Sequence, residues 1–208
     1  MKKLPLVGAI LAALALLLLL LAGGSYNRLV RLRETVEQQW AQVQNVYQRR
    51  ADLVPALVAT VSGAANFEKS TLVEITDARA SVGRVLVDAK NLPADAAKLA
   101  EFQRAQDGLS TALSRLLVVV ERYPDLKASA GFRDLQSQLE GTENRIAVER
   151  GRFNETAQNY NVAVKSFPTL LYAGLLGFQQ KPYFSATPEA GKPPKVEFDF
   201  TKPATPKP

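Results

Sequence analysis

Between residues 25 and 63 the apolar positions advance in alternating steps of four and three: Val36, Trp40, Val43, Tyr47, Val54, Leu57 and Val61. Arg50 alone interrupts the series. Such a stripe marks one face of a long helix packed on other helices. Pro55 lies inside it, has no amide proton and predicts a kink. Gly63 and Asn66 predict a break. A second helix is expected over about 67–89, burying Leu72, Ile75, Val82 and Leu86. Asn91, Leu92 and Pro93 form a turn, with Pro93 suited to the first turn of the next helix. That third helix, about 94–123, carries Leu109, Leu113, Leu116, Val120 and Tyr123, and Pro124 stops it. Ser129 suits the N-cap of a fourth helix over about 130–166. There an apolar residue recurs every seventh position: Phe132, Leu139, Ile146, Phe153, Tyr160 and Phe167, before Pro168. The companion positions begin at Leu135 and turn polar at Thr142, Glu149 and Thr156.

Four long helices joined by short turns predict an all-α fold, an antiparallel up-down four-helix bundle. The first and fourth helices should project beyond the shorter second and third. The one strand-like alternation is Val196, Phe198 and Phe200 in the tail.

Residues 4–22 contain no charged side chain, and Lys2 and Lys3 precede them. About 20 apolar residues of helix cross a bilayer core. The run exceeds the roughly 7–15 residues of a signal-peptide core, so a retained single transmembrane helix is favoured over a leader cleaved near Ala22 and Gly24. The lipid bilayer is thus the first expected partner. Two lysines flank one end of the run and Arg28, Arg31 and Arg33 the other, which leaves the side of the bundle open. Three regions follow: an anchor over 1–24, a bundle with an apolar C-terminal strip over 25–184, and a disordered Pro/Lys-rich tail over 185–208.

Composition removes several kinds of chemistry. The 208 residues include no cysteine and no histidine. Thiol nucleophiles, disulfides, histidine bases and His-ligated zinc are therefore excluded. Di-iron sites in bundles use Glu-x-x-His pairs, so no metal or other cofactor is expected. The 26 basic and 20 acidic side chains give a net charge of +6. Both signs are interspersed along the helices, and no clustered basic face for nucleic acid is expected.

A set of short motifs carries a resemblance. Tyr26-Asn27-Arg28-Leu29-Val30 opens the first helix, and Arg49-Arg50-Ala51-Asp52-Leu53-Val54-Pro55 follows. Ala78-Arg79, Tyr123-Pro124-Asp125-Leu126-Lys127 and Leu139-Glu140-Gly141-Thr142-Glu143-Asn144-Arg145-Ile146 come next. Tyr160-Asn161, Ser166-Phe167-Pro168, Gly177-Phe178 and Lys181-Pro182-Tyr183-Phe184 complete the order. Over residues 25–184 the chain resembles the LemA family of bacterial membrane-associated helical proteins. The resemblance implies an antiparallel bundle on a single helix in the bacterial cell (inner) membrane. Genes of that family often accompany membrane metalloproteases or small envelope proteins, which implies a scaffold or accessory role. The family commonly has a large polar residue where Ala51 stands and Asn where Ala56 stands, so neither position is expected to carry chemistry here.

Two groups of residues remain as candidates. Arg50 and Glu149 occupy stripe positions and Glu143 lies close by. They form either a buried ion pair that sets helix register or a polar ligand or catalytic site inside the bundle. Asp52 and Glu140 are further carboxylates open to acid–base work. The second group is the apolar strip Leu170, Leu171, Tyr172, Leu175, Leu176 and Phe178, extended by Tyr183 and Phe184. It is too short to span a bilayer. It either folds back onto the bundle end or forms a membrane-interface or partner-binding strip. The function expected is a non-enzymatic, membrane-anchored scaffold for other envelope proteins. The alternatives are an accessory or modulator of a membrane protease or transport complex, and an enzyme with a polar site in the bundle.

Overall fold

The computed structural model describes the backbone of residues 3–64, 67–88 and 95–185, and side chains from residue 23 onward within those ranges except 87 and 88. Among them the chain is helical: α1 (Lys3–Ser62), α2 (Lys69–Asp88), α3 (Ala96–Val120), α4 (Pro124–Ala128) and α5 (Ala130–Lys165), then a 3-10 turn at Thr169–Leu171. Asn66, Pro93 and residues 186–208, with the alternation at Val196, Phe198 and Phe200, lie outside the described residues.

The stripe residues of α1, from Val36 to Val61, are all buried, as are Leu109, Leu113, Leu116 and Val120 of α3. On α5, Phe132, Leu139, Ile146, Phe153 and Tyr160 are buried, but Phe167 is 82% exposed. The heptad fails there because α5 ends at Lys165, where the backbone turns extended at Ser166 before Pro168. A helical face has no meaning beyond the helix. The third helix is also shorter than the pattern predicts: Asp95 caps its start, accepting from Ala97 N at 2.8 Å, and a separate turn, α4, follows Val120 with Pro124 in its first position. Ser129 caps α5 as expected, accepting from Phe132 N at 3.3 Å.

The core has two halves. In one half, Leu57 of α1 and Leu139 of α5 pack with Ile75 of α2 and Leu116 of α3. In the other half, Leu29, Trp40, Phe153 and Tyr160 are closed over by Leu99 and Phe102 from the start of α3 and by Ala173, Phe178 and Phe184 from the strip.

Pro55 does not end α1, which continues through it to Ser62. The proline leaves the carbonyl of Ala51, four residues back, without its helical donor. Arg79 Nε on α2 donates to that carbonyl at 3.1 Å. The gap in one helix thus becomes a hydrogen bond to its neighbour. Arg79→Ala is expected to cost about 1 kcal/mol in the native chain and less in a Pro55→Ala background, where an amide again serves the carbonyl. Urea unfolding of the two single variants and the double variant measures this coupling; strict additivity would show that the Arg79 bond does not compensate for the missing amide of Pro55.

Candidate functional site

Arg50 is 1% exposed, the largest fully buried side chain among the described residues. Its Nη1 donates to Ser110 Oγ at 2.8 Å and to Glu143 Oε2 at 2.9 Å. Its Nη2 donates to the carbonyl oxygen of Gln106 at 3.0 Å and to Gln106 Oε1. A guanidinium has five N–H donors, four of them on the η nitrogens. Here the η nitrogens serve three side chains and one carbonyl and tie α1 to α3 and α5. The guanidinium carbon also lies 5.3 Å from the centre of the Tyr47 ring. Gln106 is itself buried. The Glu143 side chain is 57% exposed and lines a cleft of about 240 Å³ together with Arg50, Ser110, Leu113, Leu117 and Leu139.

Glu149 does not join this group. Its Oε2 accepts from Gln39 Nε2 at 2.6 Å and its Oε1 from Arg152 at 2.8 Å. It lies six residues beyond Glu143, nearly two helical turns, and so bonds a different part of α1. Gln106 and Ser110 complete the layer. Gln106 stands in the α3 stripe, four residues after Phe102 and three before Leu109, a polar interruption of the same kind as Arg50; Ser110 lies off that stripe and ordinarily reads as surface. Asp52 and Glu140 accept from Gln48 and Gln136 of their own helices, in exposed positions. Among the described residues no group of three or more acidic, cysteine or histidine side chains could hold a metal ion.

The strip is held by two asparagines. Asn161 donates through Nδ2 to Lys181 O at 2.8 Å and accepts from Lys181 N at 2.8 Å; the same Nδ2 lies 2.9 Å from Tyr183 Oη. Asn154 makes the corresponding pair with Phe184, donating to its O at 3.0 Å and accepting from its N at 2.8 Å. Seven helical residues rise about 10.5 Å, and three extended residues span about 10 Å. The two amides therefore meet the backbone of residues 181 and 184 in register. Phe184 enters an aromatic cluster, with ring centres 5.3 Å from Phe153, 6.0 Å from Trp40 and 6.4 Å from Phe102. Beyond it, the Ser185 carbonyl accepts from Gln103 on α3 and Arg150 on α5. Phe178 packs edge-on to Tyr26 at 5.5 Å and lies under Arg33.

The strip thus divides by residue. Phe178 and Phe184, candidates for an exposed strip, are core residues: Phe178 packs on Tyr26 of α1, and Phe184 closes over Trp40 and Phe153 beside Phe102 of α3. Tyr172 is half-buried. Leu170, Leu171, Leu175, Leu176 and Tyr183 are exposed. The signal for the clamp, Asn154 and Asn161 one heptad apart beside Phe153 and Tyr160, was present in the sequence, but asparagines at that spacing read equally as solvated surface.

Burial pushes the Tyr47 hydroxyl above its usual pKa of 10.0, with Arg150 and Arg50 pulling partly the other way. Tyr160 is raised for the same first reason. The fold therefore favours both protonated phenols. Their contribution is complete below the unfolded value of about 10 and is lost as pH rises through the raised values. Lys181 is lowered by burial, against the pull of Glu37; its cost is present at neutral pH and is relieved as the ammonium deprotonates. Thermal melts are expected to fall above pH 10, and Tyr47→Phe with Tyr160→Phe should flatten that fall. An unchanged alkaline limb in the double variant would contradict this origin.

A larger cleft, about 680 Å³, opens at the opposite end of the bundle beside Gly63, Tyr123, Asp125 and Ser129. Its guanidinium, Arg122, is already paired with Glu68 at 2.9 Å.

Compared with known proteins, the chain matches the model of the LemA family over residues 39–198. It is similar to the magnetosome protein MamQ of Magnetospirillum gryphiswaldense, 27% identical over 183 residues that cover 81% of this chain and 67% of that protein. It is also similar to protein LemA of Metamycoplasma hominis, 26% identical over 164 residues that cover 79% and 70% of the two chains.

Proposed function

The chain belongs to the LemA family, and from that premise we propose that it is a single-pass protein of the bacterial cell membrane whose bundle acts as a non-enzymatic scaffold for other envelope proteins. The observation that carries the reading is the continuity of α1. Lys3–Ser62 is one helix, and it leads from the uncharged run at 4–22 directly into the core of the bundle. Among the described residues no helix is long and apolar enough to cross a membrane; the anchor proposed is the run at 4–22, whose side chains lie outside them. With no linker between anchor and bundle, residues 23–62 form a post about 60 Å long.

The polar layer supports a structural role over a catalytic one. Arg50 lines the small cleft beside Glu143, but its η nitrogens already bond Ser110 and Gln106 of α3 and Glu143 of α5. Outward, α1 shows exposed amides at Gln38, Gln42, Asn45 and Gln48. Such a face hydrogen-bonds to partners without demanding a charge.

A photo-crosslinking residue at Gln42 in intact membranes tests the reading. Several envelope proteins captured there would support a scaffold. One protease or transporter captured in fixed stoichiometry would replace it with the accessory role, and no adduct from any position on this face would contradict both.

A further inference from the structure

We propose that the exposed leucines after α5 form a second membrane contact, a foot set into the interface of anionic phospholipid beside the point where α1 emerges. The inference rests on the anchor reading above and adds a lipid-binding surface to it.

Three observations converge. The first is apolar exposure confined to one short segment. Phe167 is 82% exposed, Leu170 61%, Leu171 70%, Leu175 88% and Leu176 50%. The same segment buries Ala173 and Phe178 in the core, so the segment is fixed and its leucines face outward from a folded base. Its turns are closed by backbone bonds from Leu176 N to Tyr172 O and from Phe178 N to Ala173 O.

The second is depth. Ser166, Phe167, Pro168 and Thr169 line one cleft of about 370 Å³ together with Gly24, Ser25 and Arg28 of α1. At about 1.5 Å per residue, Gly24–Arg28 lies about 3–9 Å beyond the last residue of the apolar run. The headgroup layer on each side of a bilayer is about 5–8 Å deep. The patch therefore sits at the level of the headgroups and the ends of the acyl chains, where short apolar segments partition.

The third is charge. Residues 23–33 and 156–185 contain no aspartate or glutamate, and they carry Arg28, Arg31, Arg33, Lys165 and Lys181. Arg28, Arg31 and Lys165 are exposed. Elsewhere in the bundle both signs alternate. Arg33 pairs with Glu34 and Glu37, and Lys181 lies within reach of Glu37, which leaves Arg28, Arg31 and Lys165 as the cationic rim. That rim around apolar side chains fits anionic headgroups around an acyl boundary, and it disfavours a second copy of the same surface, which would set like charges together.

The chain has no cysteine, so single-site labelling is clean. The full chain carrying Leu175→Cys, coupled to an environment-sensitive nitrobenzoxadiazole dye, is reconstituted in phosphatidylcholine vesicles with and without phosphatidylglycerol. Val118→Cys, an exposed position on α3, serves as the aqueous control. Both sites are exposed, so neither substitution threatens the fold. The expected result is blue-shifted emission at 175, quenched several-fold more by a headgroup-borne nitroxide lipid than the dye at 118. Phosphatidylglycerol should strengthen that quenching, and Arg28→Gln with Lys165→Gln should weaken it. A dye at 175 as open to aqueous iodide as the one at 118, in protein that resists alkaline extraction, would overturn the lipid foot and leave the anchor intact. Extraction of the protein by alkaline carbonate would instead count against the anchor. A dye shielded from both quenchers, with disulfide-linked dimers through residue 175, would overturn the proposal in favour of a second copy.

Discussion

Replacing Arg50 with methionine is expected to lower the stability of the bundle by about 2–4 kcal/mol, measured by urea unfolding of the detergent-solubilised chain. The cost does not come from Glu143, whose largely exposed carboxylate rehydrates once its partner is gone. It comes from Gln106, buried with its side-chain and backbone oxygens both aimed at the guanidinium. Methionine fills much of the volume but donates nothing, so Gln106 Oε1 is left without a donor, while the Gln106 carbonyl keeps Ser110 Oγ at 3.2 Å. Arg50→Met combined with Gln106→Met should recover much of the loss, since an apolar pair removes the unmet groups along with the charge. Adding Glu143→Gln to Arg50→Met should change little. Full stability in the Arg50→Met single variant would mean the layer does not hold the three helices together.

Phe184→Ala is expected to release the C-terminal segment from the bundle. The ring is 5% exposed and sits among Trp40, Phe102 and Phe153; truncating such a ring costs about 3–5 kcal/mol. Around Phe184 the segment is held otherwise by the Asn154 and Asn161 pairs, each contributing about 1–3 kcal/mol at most, and by the exposed bonds of Gln103 and Arg150 to the Ser185 carbonyl. The loss should therefore appear locally, as freeing of residues 181–185, before the long helices unfold. Trp40 is the chain's one tryptophan and reports it directly. Its emission should move to the red and become accessible to iodide in Phe184→Ala, with helical circular dichroism retained. Phe184→Leu should keep most of the native spectrum. Asn161→Ala should show a smaller shift in the same direction. An unmoved Trp40 spectrum in Phe184→Ala would mean that the segment does not seal this part of the core.

The legibility of the fold followed the strength of each periodic signal. Val36 to Val61 and Phe132 to Tyr160 repeat over several heptads, and one face of a helix is the simplest way to bury them all. Arg50 stood out because a charge in such a series must find partners. Choosing among those partners was another matter: Glu143 and Glu149 lie on the same helix, and only the axial offset between α1 and α5 decides that Glu143 meets Arg50 while Glu149 meets Gln39. Gln106 and Arg79 were legible by position, since each interrupts a stripe, Gln106 between Phe102 and Leu109 and Arg79 between Ile75 and Val82. Their partners were not legible, because these depend on a neighbour's position, and nothing local distinguishes Ser110 from a surface residue. The strip showed its apolar character plainly but not its division. Phe178 and Phe184 are buried because the segment folds back over Tyr26, Trp40 and Phe153, with Phe102 of α3 beside Phe184, a consequence of tertiary packing. The resemblance to the LemA family rested on the order of weak motifs and agrees with the family match.

The mass and N-terminal sequence of the protein recovered from alkali-washed cell membranes test the central claim most directly. The expected result is a membrane-retained chain that still carries residues 1–24, so that α1 runs unbroken from the bilayer into the bundle. A mature protein that begins at Ser25 and leaves the membrane in the wash would contradict it.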